Sequence, residues 1–261
     1  MIELVVSDLD GTLLRKDKQT LEAGTLELIS GLQERGIQFV AASGRQYPNM
    51  YRLFENVANN MYFICENGSL IMHQGKVCRK LSIERSVGME LIHDILEIEE
   101  AEVLISGERT SYILPKNKSF EDMLINVVKN DMTILSDVEQ LEEDFLKISA
   151  FMEGNETVPK SINERFREKY SDKFQVVNSG NGWLDFIPLD SGKGSALEYL
   201  MDSLKISNNS TVVFGDNEND ISMLHLTPNS YVMSHASENI KQYGKHECTY
   251  VDDILSVLIN E

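Results

Sequence analysis

The feature that most constrains this chain is a recurrence of short, nearly unbroken apolar runs: LVVS at 4–7, FVAA at 39–42, YFIC at 62–65, VVFG at 212–215 and YVMS at 231–234. A strand with one wet face alternates apolar and polar residues. Runs without alternation therefore belong to a sheet covered on both faces, and covering helices imply parallel strands. The stretch before Phe39 suits such a crossover, because Leu21, Leu28, Ile29 and Leu32 share one helical face and Gly36 stops the helix. The expected fold class is α/β, with a Rossmann-like doubly wound parallel-sheet core.

Residues 83–187 break the pattern. A helical window, SVGMELIHDILEIEE, is mixed there with short strand-like pieces, AEVLI and SYILP, which argues for an inserted α+β domain. Core-type units resume afterwards. The expected organisation is a core built from residues 1–82 and 188–261, interrupted by the insertion at 83–187; 261 residues, 42% of them hydrophobic, suffice for two modest cores.

Ligands of a doubly wound sheet bind beyond the carboxyl ends of its strands. Polar residues cluster at those ends: Asp8 and Asp10, then Ser43-Gly44-Arg45, Glu66-Asn67-Gly68 and Gly215-Asp216. In VVSDLDGTLL, strand alternation sends Asp8 and Asp10 to the same side, where two negative charges repel. In GDNENDISML, Asp216 ends a strand and Asp220 follows four residues later, one helical turn on. Together the two clusters gather four carboxylates, and a hard divalent cation, Mg²⁺ by preference, resolves their repulsion. Taken alone, Asp216, Asn217 and Asp220 equally suit a helix cap.

Lys193 opens a helix whose apolar positions include Leu197, Leu200, Met201 and Leu204. A cation at that end opposes the helix dipole, a cost that a bound anion offsets; a solvated surface lysine is the other reading. Gly192-Lys193 is no P-loop, because the glycine required at position 187 is Ile187. Ser43 and Gly44, ahead of a helical stretch starting near Arg45 with Pro48 in its first turn, offer a hydroxyl and an amide to a phosphate oxygen, or a plain N-cap.

A carboxylate nucleophile, a neighbouring carboxylic acid, a Mg²⁺ site, a hydroxyl-amide cradle and a lysine are the parts of phosphoryl transfer through an aspartyl phosphate. DLDGT, SGR, GKG and GDNEND, in this order, resemble the four motifs of the haloacid dehalogenase-like (HAD) phosphohydrolases, and the insertion resembles the C2-type cap of their Cof-type (IIB) subclass. The resemblance implies Asp8 as nucleophile and Asp10 as general acid, then base. It implies Mg²⁺ held by the Asp8 carboxylate, the main-chain carbonyl of Asp10 and Asp216, with Asp220 orienting from behind. Phosphate contacts fall to the amides of Leu9 and Asp10, to Ser43, Gly44, Lys193 and Asn219. Ser43 departs from the threonine common at its position and keeps the hydroxyl.

Substrate choice is expected from the insertion, first in NSGNGWLDF, where Asn181 and the chain's only tryptophan, Trp183, follow a glycine-rich turn. Trp183 equally suits plain strand packing. Asn67 either faces the leaving group or forms a hairpin turn. With 24 Lys and Arg against 42 Asp and Glu, the net charge of -18 repels nucleic acid and anionic membranes, so the expected partner is a small phosphorylated molecule. No run approaches the ~20 apolar residues of a membrane span and no leader pattern opens the chain, so the expected location is cytoplasmic. Three scattered cysteines suggest reduced thiols and no metal site. The expected activity is a Mg²⁺-dependent phosphatase. A sugar phosphomutase retaining the aspartyl phosphate, and a regulator that binds without turnover, are the competing readings; oligomeric state is left open.

Overall fold

The structure is a computed structural model and describes residues 1–15, 18–128, 131–154 and 157–260. Among these residues the strands are β1 Leu4–Asp8, β2 Gln38–Ala42, β3 Tyr62–Cys65, β4 Leu70–His73, β5 Lys76–Lys80, β6 Ala101–Ser106, β7 Ser111–Ile113, β8 Met132–Ile134, β9 Lys147–Met152, β10 Phe174–Gly180, β11 Trp183–Pro188, β12 Thr211–Gly215, β13 Asn229–Met233 and β14 His246–Cys248. The α-helices are α1 Thr25–Glu34, α2 Tyr47–Leu53, α3 Arg85–Leu96, α4 Lys118–Met123, α5 Lys160–Tyr170, α6 Lys193–Leu204, α7 Ile221–Leu224, α8 Glu238–Lys241 and α9 Val251–Asn260.

The chain divides into two compact units, one of Met1–Arg79 with Gly192–Glu261 and one of Lys80–Ser191. The first holds a sheet in the order β14-β13-β12-β1-β2-β3-β4-β5. Strands β14 through β3 are parallel, as the unbroken apolar runs require, and β4 turns back antiparallel on β3. All five residues of β1 are buried between β2 and β12. The chain leaves β1 toward β2 on one side and returns through β12 on the other, so the order reverses between β1 and β12. That reversal opens a crevice at the carboxyl ends of the two strands.

α6 buries Ala196, Leu197, Leu200 and Met201 in one apolar cluster with Leu4 and Val6 of β1, Val40 and Ala42 of β2, and Val213 of β12. This packing aims its N-terminus at the crevice. α1 is shorter than the sequence suggests: Gly24, in left-handed conformation, starts it at Thr25, and Leu21 lies before it. Gly36, at φ 77°, makes the turn into β2.

The second unit is a six-stranded sheet in the order β10-β11-β9-β6-β7-β8, antiparallel except for the β7–β8 pair. One apolar cluster packs α3 and α5 on it through Leu91, Ile92, Ile95, Phe166 and Tyr170. Trp183 lies in a second cluster with Phe120 of α4 and Phe151 of β9, its ring 4.6 Å from that of Phe151. Asn181 sits in the β10–β11 turn at φ 49°. Cys65 and Cys248 are buried thiols and Cys78 is an exposed one. No helix among the described residues is long and apolar enough to cross a membrane.

Candidate active site

Asp8 is the last residue of β1 and only 5% exposed. Beyond it the backbone leaves extended geometry, with the amide of Leu13 donating to the Asp8 carbonyl and those of Thr12 and Leu14 to the Leu9 carbonyl. Gly11, at φ 91°, makes this turn possible. Its missing side chain matters as well, because a Cβ there runs into the Asp216 carboxylate.

Lys193, the first residue of α6, has a fully buried side chain. Its ammonium donates to Asp8 Oδ1 at 2.5 Å and to Asp220 Oδ1 at 2.7 Å. The helix-dipole cost at this position is met by two carboxylates, so the solvated-lysine reading falls. Burial alone would lower the ammonium pKa; the charges of Asp220 and Asp8 outweigh it and raise it above its ordinary value. Burial, together with the negative charges of Asp220 and Asp216, pushes the Asp8 carboxyl well above the usual range although Lys193 opposes the shift. Burial also raises Asp220.

Asp216 follows β12, and its carboxylate accepts from Thr12 Oγ1 at 2.7 Å. His235 Nε2 stands 3.7 Å from its other oxygen. Asp220 is placed by a short 3₁₀ turn, not by a turn of α-helix as the four-residue spacing suggests. Its Oδ2 accepts the amides of Asp216 at 2.9 Å and Asn217 at 3.0 Å. One Asp220 oxygen thus caps the turn and the other accepts from Lys193. Gly215 is required behind it, since an added Cβ would stand 2.5 Å from that of Asp220.

Asp8, Asp216 and Asp220 each place a carboxylate oxygen within 4.8 Å of the others. Asp10 is the correction to the expected foursome. The turn after β1 carries its side chain outward, 52% exposed, to Arg45, whose Nε donates to Oδ2 at 2.8 Å and Nη2 to Oδ1 at 2.5 Å. Opposite charge on β2's loop resolves part of the repulsion that the sequence posed.

That loop differs locally from expectation. α2 begins at Tyr47, with Gln46 as cap, so Ser43 is not its N-cap. Instead Ser43 Oγ accepts the amide of Arg45 at 3.1 Å. Asn67, in left-handed conformation in the β3–β4 hairpin, donates its amide to the Ser43 carbonyl, and its side chain faces Gly44. Asn219 Nδ2 donates to Asn67 Oδ1 at 3.1 Å, which ties the hairpin to the loop after β12. Asn67 therefore holds the turn position weighed for it, with its side chain beside Gly44. Gly68 touches the backbone of Gly192 and admits no side chain. Asn181 and Trp183 belong to the second unit.

Thr12, Arg45 and His235 were not singled out for roles by sequence reasoning. Thr12 lies inside the DLDGT motif and Arg45 inside SGR, so their motifs marked them; nothing in the sequence around His235 marks it.

A buried lysine flanked by converging carboxylates thus lies at the switch point of a doubly wound sheet. Residues 5–258 match the haloacid dehalogenase-like hydrolases, and the chain belongs to that family. It is 26% identical over 245 residues to the 5-amino-6-(5-phospho-D-ribitylamino)uracil phosphatase YbjI of Escherichia coli K12, covering 94% of this chain and 90% of that one. Among solved structures, SMU.1108c from Streptococcus mutans UA159 superposes with TM-score 0.88 at 24% identity over the whole of both chains. The HAD subclass IIB sugar phosphatase BT4131 does so with TM-score 0.83 at 17% identity, over 99% of this chain and 98% of that one. The chain is a phosphatase of this family.

Proposed function

We propose that the protein is a Mg²⁺-dependent phosphatase that hydrolyses small phosphorylated metabolites, sugar phosphates first among them, through a phosphoryl group carried on Asp8. The observation that carries this reading is the buried Asp8–Lys193–Asp220 array with Asp216 beside it. The residues fit a hard cation. Their donors are all oxygen, the carboxylates converge, and Gly11 leaves space beside the Asp216 carboxylate that a Cβ would fill.

The Asp8 and Asp216 carboxylates and the Asp10 carbonyl would hold the ion. Asp220, whose oxygens are engaged by Lys193 and two amides, would orient from behind. When bound, Mg²⁺ neutralises the carboxylates and polarises the phosphoryl oxygens. An Asp8 oxygen attacks phosphorus; the bond from phosphorus to the alcohol oxygen breaks as the Asp10 proton passes to that oxygen. Asp10, now a carboxylate, then takes a proton from water as the water oxygen attacks phosphorus and releases Asp8. Lys193, Ser43, Asn219 and the amides of Leu9, Asp10 and Gly44 stabilise the equatorial oxygens. Asn67 is the proposed contact to the leaving group, and Asn181 and Trp183 are proposed as substrate-specificity residues of the second unit.

The test is phosphate release from a panel of phosphorylated metabolites, with Mg²⁺, with EDTA, and with Asp8→Asn. Release dependent on both Mg²⁺ and Asp8 supports the reading. Isomerised product without phosphate would move the assignment to a mutase, and folded protein inert toward the whole panel would overturn it.

A further inference from the structure

Arg45 is built into its loop more firmly than an ion-pair partner of an exposed carboxylate needs to be. Its amide is held by Ser43 Oγ at 3.1 Å, and its carbonyl accepts the amide of Glu66 at 3.1 Å. Its guanidinium donates four times: Nε and Nη2 to the two oxygens of Asp10, Nη2 also to Gln19 Oε1 at 2.9 Å, and Nη1 to Asn49 Oδ1 at 3.0 Å. The Arg45 side chain is 13% exposed and that of Asp10 is 52% exposed. The arginine is the anchored member of the pair, and the carboxylate takes its direction from it. A planar fork that meets both oxygens sets the plane of a carboxylate as well as its distance, which a lysine cannot do.

We infer that Arg45 is a positioning residue for proton transfer by Asp10, acting on the orientation of that carboxylate and not on the phosphoryl group. The inference rests on the reading of Asp10 as general acid and base. The fork holds the Asp10 carboxyl in one plane for transfer of its proton to the oxygen that leaves phosphorus. The proton moves to that oxygen as the bond from phosphorus to it breaks and the bond from Asp8 forms. Without the fork, an Asp10 side chain half in solvent samples other rotamers and meets the leaving group less often.

The experiment compares kcat/KM for two substrates of the full-length protein in Mg²⁺, an alkyl phosphate with a strongly basic leaving oxygen and p-nitrophenyl phosphate with a weakly basic one. This ratio reports steps only through phosphorylation of Asp8. General acid catalysis is typically worth roughly 10²–10⁴-fold where the leaving group needs it. Arg45→Gln should lower the alkyl value by about 10–100-fold, within that range, while changing the p-nitrophenyl value by about threefold or less. Inhibition by inorganic phosphate should be unchanged. Arg45→Lys, which restores charge without the fork, should recover only part of the loss.

Asp10→Asn is run beside them. If Asp10→Asn shows the substrate-dependent loss and Arg45→Gln does not, the inference about Arg45 is wrong and the reading of Asp10 stands. If Asp10→Asn itself hits both substrates alike, the acid assignment fails and takes the inference with it. Equal losses on both substrates in Arg45→Gln, with weaker phosphate inhibition, would instead assign Arg45 to phosphate binding. Should Arg45→Gln fail to fold, Arg45→Lys decides: a wild-type ratio between the two substrates overturns the inference.

Discussion

Replacing Lys193 with methionine keeps the volume and apolar stem of the side chain and removes the charge between Asp8 and Asp220. Both hydrogen bonds it makes, at 2.5 and 2.7 Å, are lost together, and both partners are buried. Deleting one member of a buried ion pair typically costs about 3–5 kcal/mol, because the remaining charge has neither water nor partner. At about 2–4 °C per kcal/mol for a unit of this size, the melting temperature should fall by roughly 6–20 °C. The assay is urea and thermal unfolding followed by circular dichroism, in EDTA and in saturating Mg²⁺. The loss should be largest in EDTA and shrink in Mg²⁺, where the carboxylates gain another counter-charge. Combining Lys193→Met with Asp8→Asn should cost less than the two single effects summed, by at least about 1 kcal/mol, because the groups are in contact. A Lys193→Met protein within about 1 kcal/mol of wild type in EDTA would refute the reasoning, since a buried pair cannot lose one member so cheaply.

The remaining expectations concern the same cluster. Asp8 and Asp220 have folded pKa values raised above 3.8, so folding takes up protons: the stability they contribute is full below the ordinary carboxylate range and is lost as pH rises through the raised values. Asp8→Asn removes one of these groups, so in EDTA its urea midpoint relative to wild type should climb from pH 4 to pH 8; a flat or falling difference contradicts the assigned shift. Thr12→Val deletes the 2.7 Å hydrogen bond that orients Asp216, and Mg²⁺ affinity, read by isothermal titration, should weaken by about 10–100-fold with the fold intact. Gly11→Ala combines a φ of 91° with a Cβ aimed at Asp216 and should cost about 1–3 kcal/mol in urea unfolding along with Mg²⁺ affinity.

The family and the parallel sheet were legible in the chain because their signals are local. Unbroken apolar runs of four or five residues mark strands covered on both faces, and Asp8, Ser43, Lys193 and Asp216 sit at the strand and helix ends where ligands of such a sheet bind. Spacing alone misled where a turn intervened. Asp10 was expected beside Asp8 on a continuing strand, and Asp220 one α-helical turn from Asp216; Gly11 bends the first away, and a 3₁₀ cap places the second.

Partners were the other matter the sequence left undetermined. Lys193 meets Asp8 across 185 residues, Thr12 meets Asp216 across 204, and Arg45 meets Asp10 across 35. Residue types and local propensities establish what each side chain can donate, accept or ionise. Which of them share one small volume is decided by strand order and register, with β12 and β2 on either side of β1, and by the packing that aims α6 at their ends. The electrostatics follow from that assembly alone, because a carboxylate in water and the same carboxylate buried beside two others are different acids.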